Sequence, residues 1–125
     1  MAGKQFLIKG GTAAWPICLG YVPIGAAFGV LAQKSGLSPL EIGLMSLIVF
    51  AGSSQFIAVS MMSAGASGAA IVMTTFAVNL RHLLMSSALS VFMKRIGGLK
   101  LAVFAYGITD ESFAVNYVRY RQGGW

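Results

Sequence analysis

The spacing of charged residues constrains this chain more than any other feature of its sequence. No charge occurs between Lys9 and Lys34, a stretch of 24 residues, or between Glu41 and Arg81, a stretch of 39. A helix needs about 20 apolar residues to cross a bilayer, so the first stretch accommodates one crossing. The second accommodates a crossing, a turn and the start of another. Helices satisfy their own backbone hydrogen bonds in lipid. The sequence therefore predicts an all-α polytopic membrane protein.

Composition supports a membrane environment. Hydrophobic residues make up 57% of the 125 residues and charged residues 10%, whereas a soluble domain carries about 25% charged residues. A chain this short cannot bury so much apolar surface in water. The formal net charge is +6, but the bases lie near the ends of apolar segments, as they do beside lipid headgroups. We therefore expect a lipid bilayer as the surroundings and no nucleic acid as a partner.

Turn residues divide the sequence into about four transmembrane helices within a single domain that covers residues 1–125. Their expected ranges are 13–32, 42–64, 68–92 and 101–118. Ser38 followed by Pro39 is a typical signal for the start of a helix and opens the second segment. Lys94 and Arg95 close the third segment.

Polar or helix-breaking residues stand near the middle of every predicted helix. They are Pro23 in the first helix, Gly52, Ser53, Ser54 and Gln55 in the second, Asn79, Arg81 and His82 in the third, and Asp110 and Glu111 in the fourth. A charged side chain at the bilayer centre costs about 2.5–3.5 kcal/mol on insertion scales and is normally paired, hydrated or functional. Secondary transporters break helices near the midplane and aim the freed groups at the solute. We therefore expect some helices to be broken at mid-depth and these residues to bind a substrate.

Structural alternatives exist for the residues of the first two segments. Pro23 could do no more than kink a packed helix, because proline removes a backbone donor. Ser53 could be a small residue that lets two helices pack closely. Gln55 lies on the opposite side of its helix from Ser53, so it either reaches another helix or marks a break.

The third segment has a polar stripe and a separate arginine. At about 100° per residue, one face carries Thr75, Asn79, His82, Ser86 and Ser90. Arg81 points almost oppositely, so either the helix unwinds near Asn79 or Arg81 reaches an acid on another helix. The acids at its depth are Asp110 and Glu111, and an ion pair with them could be purely structural.

Four strings of residues carry a resemblance to a known family. They are PIGAAFGVLAQKSGLS (Pro23–Ser38), VFAGSSQF (Val49–Phe56), TTFAVNLRHLLM (Thr74–Met85) and TDESFAV (Thr109–Val115). In this order and spacing the chain resembles the AzlC family of branched-chain amino acid exporters. The resemblance implies a multi-pass permease of the bacterial plasma (inner) membrane that exports valine, leucine and isoleucine together with a small AzlD-like membrane protein. Family members are usually longer, so the resemblance covers their N-terminal half.

The residues and the resemblance together suggest how a zwitterionic amino acid would bind. Its carboxylate would accept hydrogen bonds from backbone N–H groups at the break over Gly52–Gln55, with Arg81 or His82 adding positive charge. Asp110 or Glu111 would hold its ammonium group, and one of them could also carry a coupling proton. The residues expected around its aliphatic side chain are Phe28, Phe56 and Phe76.

Two other classes of function compete with transport. An intramembrane enzyme would need a nucleophile with a base, or a set of metal ligands. The sequence contains one histidine, one cysteine and no HExxH motif, so we expect neither an enzyme nor a cofactor. The alternative is a non-transporting assembly subunit or a truncated fragment of a permease. The partners expected are an AzlD-like protein, the missing half of the permease or a second copy of the chain.

Overall fold

The structure is a computed structural model that describes residues 2–93 and 96–123. This part of the chain forms α1 (Ala2–Lys34), α2 (Pro39–Val49), α3 (Gly52–Ser63), α4 (Gly68–Ser90), α5 (Gly98–Tyr106) and α6 (Asp110–Arg121). The described residues contain no strand, so the all-α prediction is confirmed. Lys94 and Arg95, the bases expected to close the third segment, lie outside the described residues.

The first helix is longer than its predicted range of 13–32. α1 begins at Ala2, and Gly10 and Gly11 are helical within it. A glycine inside a helix costs only about 1 kcal/mol relative to alanine, so two glycines do not prevent helix formation. The helix also continues through Pro16 and Pro23.

The second segment is broken between α2 and α3, as its Gly-Ser-Ser sequence predicts. Phe50 ends α2 in the left-handed region with φ 46° and ψ 34°, and Ala51 follows with φ −136° and ψ 88°. The Ala51 carbonyl accepts hydrogen bonds from the Gln55 N–H at 3.0 Å and from the Ser54 Oγ at 2.9 Å. The backbone is thus paired again within one turn of the break.

A reciprocal hydrogen-bonded cap begins α2 at the predicted Ser38-Pro39 pair. The Ser38 backbone N–H donates to Glu41 Oε2 at 2.7 Å, and the Glu41 backbone N–H donates to Ser38 Oγ at 3.4 Å. Hydrogen bonds from the Ser38 backbone and then from its hydroxyl lower the pKa of the Glu41 carboxyl. Proline at the first helical position supports this helix start, because its fixed φ suits the helix.

The fourth segment is two helices, so the prediction of one helix over 101–118 was wrong. Gly107 ends α5, and Thr109 begins the next helix as its N-cap. The Thr109 backbone N–H donates to Ser112 Oγ at 2.8 Å, and the Ser112 backbone N–H donates to Thr109 Oγ1 at 3.3 Å. This capping box fixes the start of α6.

The chain divides into two compact units. The terminal unit comprises Met1–Ile24 and Met85–Trp125, and the central unit comprises Gly25–Leu84. The central unit has a core of Phe28, Ala32 and Val59. The terminal unit has a core of Met85, Leu89 and Ile108, surrounded by Phe104, Phe113, Tyr117 and Tyr120.

The long helices expose their apolar side chains. Within the described residues, Leu7–Lys34 and Gly68–Ser90 are long and apolar enough to cross a bilayer, and few of their residues are buried. The exposed fractions on α4 are 64% for Val72, 62% for Phe76 and 70% for Leu84. The polar residues Thr75, Asn79 and His82 of the same helix are half-buried. A core helix of a soluble protein has the opposite distribution. The chain is therefore an all-α membrane protein with broken helices.

The left-handed residue at the break predicts an unusual order of stability. We expect Phe50→Gly to be more stable than Phe50→Ala by about 1 kcal/mol, because a left-handed conformation costs an L-residue roughly 1–2 kcal/mol and glycine nothing. Both variants remove the aromatic ring, so its contacts cancel in the comparison. Denaturant unfolding in detergent micelles measures the difference. An alanine variant more stable than the glycine variant would indicate that residue 50 is helical.

Candidate functional site

The first turn of α3 presents backbone donors beside a positive charge in the central unit. Ala51, the N-cap residue, provides no side-chain hydrogen bond, and the first N–H groups of a helix have no acceptor within that helix. The Cβ position of Gly52 faces open space, since no atom lies within 4 Å of it apart from the adjacent residues and the α3 backbone. The Arg81 Nη2 donates a hydrogen bond to Ser53 Oγ at 2.5 Å. A helix start with an adjacent guanidinium is a favourable environment for an anion.

Two buried polar residues hold this turn in place. Ser54 is 0% exposed and Gln55 is 6% exposed. Ser54 uses its hydroxyl on the Ala51 carbonyl, and the Gln55 Nε2 donates to Ser46 Oγ of α2 at 3.3 Å. Ser46 belongs to the same predicted segment, so of the two alternatives for Gln55 the break is confirmed. These hydrogen bonds connect the two sides of the break and leave Ser53 as the exposed hydroxyl of the first turn.

The predicted residues of α4 lie on an unbroken helix. α4 runs from Gly68 to Ser90, so the alternative in which the helix unwinds near Asn79 was wrong. The Asn79 Oδ1 is buried and has no hydrogen-bond partner among the described residues, and His82 is half-buried. The ion pair expected between Arg81 and Asp110 or Glu111 would join residues of different units and stays a prediction.

A carboxylate lies in an apolar groove of the terminal unit. The Tyr21 hydroxyl donates a hydrogen bond to Glu111 Oε2 at 2.6 Å. The groove has a volume of about 290 Å³ and is lined by Pro16, Ile17, Gly20, Tyr21, Ile24 and Glu111. Asp110 and Glu111 begin α6, where the helix dipole stabilises negative charge. This groove presents acceptor oxygens, in contrast to the donors of the α3 start.

The sequence-predicted residues thus fall into two groups. Gly52, Ser53, Ser54, Gln55, Asn79, Arg81 and His82 belong to the central unit, and Pro23, Asp110 and Glu111 belong to the terminal unit. The Ser53–Arg81 contact joins the second and third predicted segments within one unit. Among the described residues, no group of three or more His, Cys, Asp or Glu side chains could hold a metal ion.

Sequence reasoning missed Tyr21, whose partner lies 90 positions away. The usable signal was a phenol within an apolar span, where its hydroxyl needs a hydrogen-bond partner. The aromatic residues expected around a substrate divide differently. Phe28 and Phe56 pack edge to face, with ring centroids 5.4 Å apart. Phe76 is 62% exposed, so the structure does not place it in a buried wall around a substrate.

Comparison with known proteins relates the chain to one family. The sequence profile of the AzlC protein family matches residues 16–125. The inner membrane protein YgaZ of Escherichia coli K12 is 38% identical over 113 residues, which cover 90% of this chain and 46% of that protein. The branched-chain amino acid transport protein AzlC of Bacillus subtilis 168 is 31% identical over 102 residues, which cover 82% of this chain and 40% of that protein. The chain spans about half the length of the curated relatives it matches. No solved structure matches it.

Gln55 and Asn79 should respond oppositely to replacement by leucine. Gln55→Leu is expected to cost about 1 kcal/mol of stability, because it removes a hydrogen bond to Ser46. Asn79→Leu is expected to be neutral or stabilising, because it removes a buried acceptor that has no partner among the described residues. Unfolding midpoints in detergent measure both changes. A large loss of stability in Asn79→Leu would contradict this account of the α4 stripe.

Proposed function

Because the chain belongs to the AzlC family, we propose that it is a component of a transporter that exports valine, leucine and isoleucine across the bacterial plasma membrane. The family and its membrane-protein relatives support a role in membrane transport. The name of the Bacillus subtilis relative states branched-chain amino acid transport for that protein. We also propose that the direction of transport is export and that the chain crosses the plasma membrane more than once.

The observation that carries the proposal is the contact of Arg81 with Ser53 at the start of α3. An amino acid is a zwitterion, and its carboxylate loses its hydration when it enters an apolar protein. Backbone N–H groups and a guanidinium replace that hydration, since a hydrogen bond to a charged group contributes about 1.5–3 kcal/mol. The first turn of α3 therefore has the chemistry needed for the carboxylate.

The contact with Ser53 fixes the Arg81 guanidinium beside the first turn of α3. Arginine has five N–H donors in a planar fork, and the contact with Ser53 is made by Nη2. Ser53 holds Arg81 beside the α3 start, where the positive charge of the guanidinium would stabilise a carboxylate. Lysine would keep the charge but not this planar arrangement.

Selectivity for an aliphatic side chain would come from the apolar part of the central unit. Phe56 follows Ser53 by one turn of α3 and packs against Phe28. Each buried methylene contributes about 0.8 kcal/mol. A surface of this kind favours branched aliphatic side chains over small or polar ones, and it distinguishes valine from leucine only weakly.

We also propose that the chain works with further membrane helices. It spans 46% of the Escherichia coli relative and 40% of the Bacillus subtilis relative. An AzlD-like membrane protein, the remaining half of a permease or a second copy of the chain would supply them. A non-transporting assembly subunit is the second candidate function. Valine-dependent thermal stabilisation of the purified chain would favour the transporter over the subunit.

Valine binding tests the role of the α3 start. We expect Arg81→Gln to weaken valine binding to the chain in lipid nanodiscs by about ten- to a hundredfold, because it removes one charge-assisted hydrogen bond. Arg81→Lys should retain part of the affinity. Competition with isobutylamine, which is valine without its carboxylate, should be absent. Displacement of radiolabelled valine measures all three.

A matched control lies on the same helix. Ser60 is exposed on α3 beyond its first turn, so Ser60→Ala should bind valine as the wild type does, whereas Ser53→Ala should bind it more weakly. Efflux of valine from proteoliposomes, with and without the AzlD-like protein, then tests transport. Equal competition by isobutylamine and valine, or unchanged affinity in Arg81→Gln, would refute a carboxylate site at this turn.

A further inference from the structure

The four short helices are each too short to cross a bilayer. α2, α3, α5 and α6 contain 11, 12, 9 and 12 residues. At about 1.5 Å per residue, each covers roughly half of the hydrocarbon core, which is about 30 Å thick. Two such helices joined end to end would cross the core once, whereas two helices side by side would enter it and return to the same face. The contacts within each unit distinguish these two arrangements.

In the central unit, α3 folds back beside α2. The Gln55 Nε2 lies 3.3 Å from Ser46 Oγ, although nine residues of one straight helix would separate the two positions by about 13.5 Å. At the open end of the pair, the hydroxyl oxygens of Ser35 and Ser63 are 2.6 Å apart. Ser35 directly follows α1, and Ser63 is the last residue of α3. The pair α2–α3 therefore returns to the end of α1, beside which it starts.

In the terminal unit, the pair α5–α6 returns to the end of α4. Phe92 lies two residues beyond α4, and its ring stacks on that of Tyr120 in the last turn of α6, with centroids 5.4 Å apart. Ile108, at the bend between α5 and α6, packs in one core with Met85 and Leu89, which precede the end of α4. The bend therefore lies beside the body of α4, and the last turn of α6 lies beside its end.

The two pairs of short helices are built alike. Both ends of α6 lie 58 positions after the corresponding ends of α3. In each helix the third residue is a serine whose hydroxyl donates to the carbonyl of the N-cap residue, Ser54 to Ala51 at 2.9 Å and Ser112 to Thr109 at 3.2 Å. The bends are buried, since Ala51 is 4% exposed and Ile108 is 2% exposed. Non-helical backbone at membrane depth is tolerated where protein buries it, so both bends suit the interior of a bilayer.

We propose that α2–α3 and α5–α6 are re-entrant helical hairpins and that the chain crosses the membrane only at α1 and α4. Each hairpin enters from one face, turns near mid-depth and leaves by the same face. α1 and α4 contain the spans that are long and apolar enough to cross, within the part of the chain that the structure describes. The start of α3 then lies near mid-depth, where a transported solute passes. That use of the hairpin rests on the proposed function.

The distribution of basic residues favours two crossings over four. Four crossings would place four bases at each face, in addition to Arg81 within α4. With two crossings, the start of α1, the end of α4 and both ends of the second hairpin share one face. That face receives seven of the nine Lys and Arg residues, those before residue 10 and those after residue 93, and the other face receives Lys34. Lysine and arginine are concentrated on the cytoplasmic side of membrane proteins, which assigns the face with seven bases to the cytoplasm.

Labelling of single cysteines tests the two crossings without any transport. Gln33→Cys and Ala64→Cys flank the first hairpin, and Ile96→Cys and Gln122→Cys flank the second. All four positions are exposed, and Cys18→Ser removes the natural thiol. An impermeant maleimide should label the first two variants and not the last two in right-side-out membrane vesicles, and the reverse in inside-out vesicles. The wild-type Cys18 is the control, because it lies within the α1 span and should react in neither vesicle until detergent is added.

The labelling pattern has two results that would contradict the proposal. Four crossings place the two members of each pair on opposite faces, so that result would overturn the hairpins. Both pairs labelled from the sides opposite to those expected would support the hairpins and overturn the assignment of the cytoplasmic face. Valine binding separates this inference from the proposed function. Its loss with the expected labelling refutes the proposed function alone, and its presence with the four-crossing pattern refutes the hairpins alone.

A disulfide cross-link tests the first hairpin directly. Ser35→Cys combined with Ser63→Cys, in the Cys18→Ser background, should form a disulfide on mild oxidation, because the two hydroxyl oxygens are 2.6 Å apart. Four crossings would separate these positions by a hydrocarbon core of about 30 Å. Ser35→Cys with Ser60→Cys is the matched control, since Ser60 lies nearly one turn closer to the bend. Mass spectrometry of the digested protein detects the link. Cross-linking in neither pair, or equally in both, would overturn the hairpin.

Discussion

Every helix break in this chain must find its hydrogen-bond partners inside the protein, because hydrocarbon supplies none. At the break the Ala51 carbonyl accepts hydrogen bonds from the Ser54 hydroxyl and from the backbone of the new helix. At Thr109 the reciprocal contact with Ser112 does the same for backbone N–H groups. Polar side chains in the apolar sequence therefore mark the breaks, and the short helices α2, α3, α5 and α6 follow from them.

The breaks also decide which polar groups remain for a ligand. Ser54 and Gln55 are buried and used in holding α3 to α2. Ser53 is exposed and is contacted by Arg81. The side chains of this polar run thus have two roles. Ser54 and Gln55 make the hydrogen bonds that hold the break together, and Ser53 accepts a hydrogen bond from Arg81. A substrate at the α3 start would use donors that the break creates.

The sequence predicted the features that depend on local chemistry. Gly52-Ser53-Ser54 predicted the break, because glycine is a poor helix former and serine side chains compete for helical hydrogen bonds. The helical spacing of Thr75, Asn79 and His82 predicted the polar stripe on α4. The split at Gly107–Thr109 was missed, because the two short helices read as one apolar segment and a Thr-x-x-Ser cap is a weaker signal than Ser-Pro. Contacts between distant residues, such as Tyr21 with Glu111, depend on how helices pack, and one sequence contains no measure of that.

The starts of α3 and α6 show how one backbone device gives two opposite chemistries. Both helices begin directly after a break, so both present N–H groups and the positive end of a helix dipole. At α3 the first turn is Gly-Ser-Ser with an arginine beside it, so the positive field is open to an external anion. At α6 the first turn carries Asp110 and Glu111, which themselves supply the anions. That turn therefore presents acceptor oxygens. The residues that follow each break thus decide which of the two environments forms.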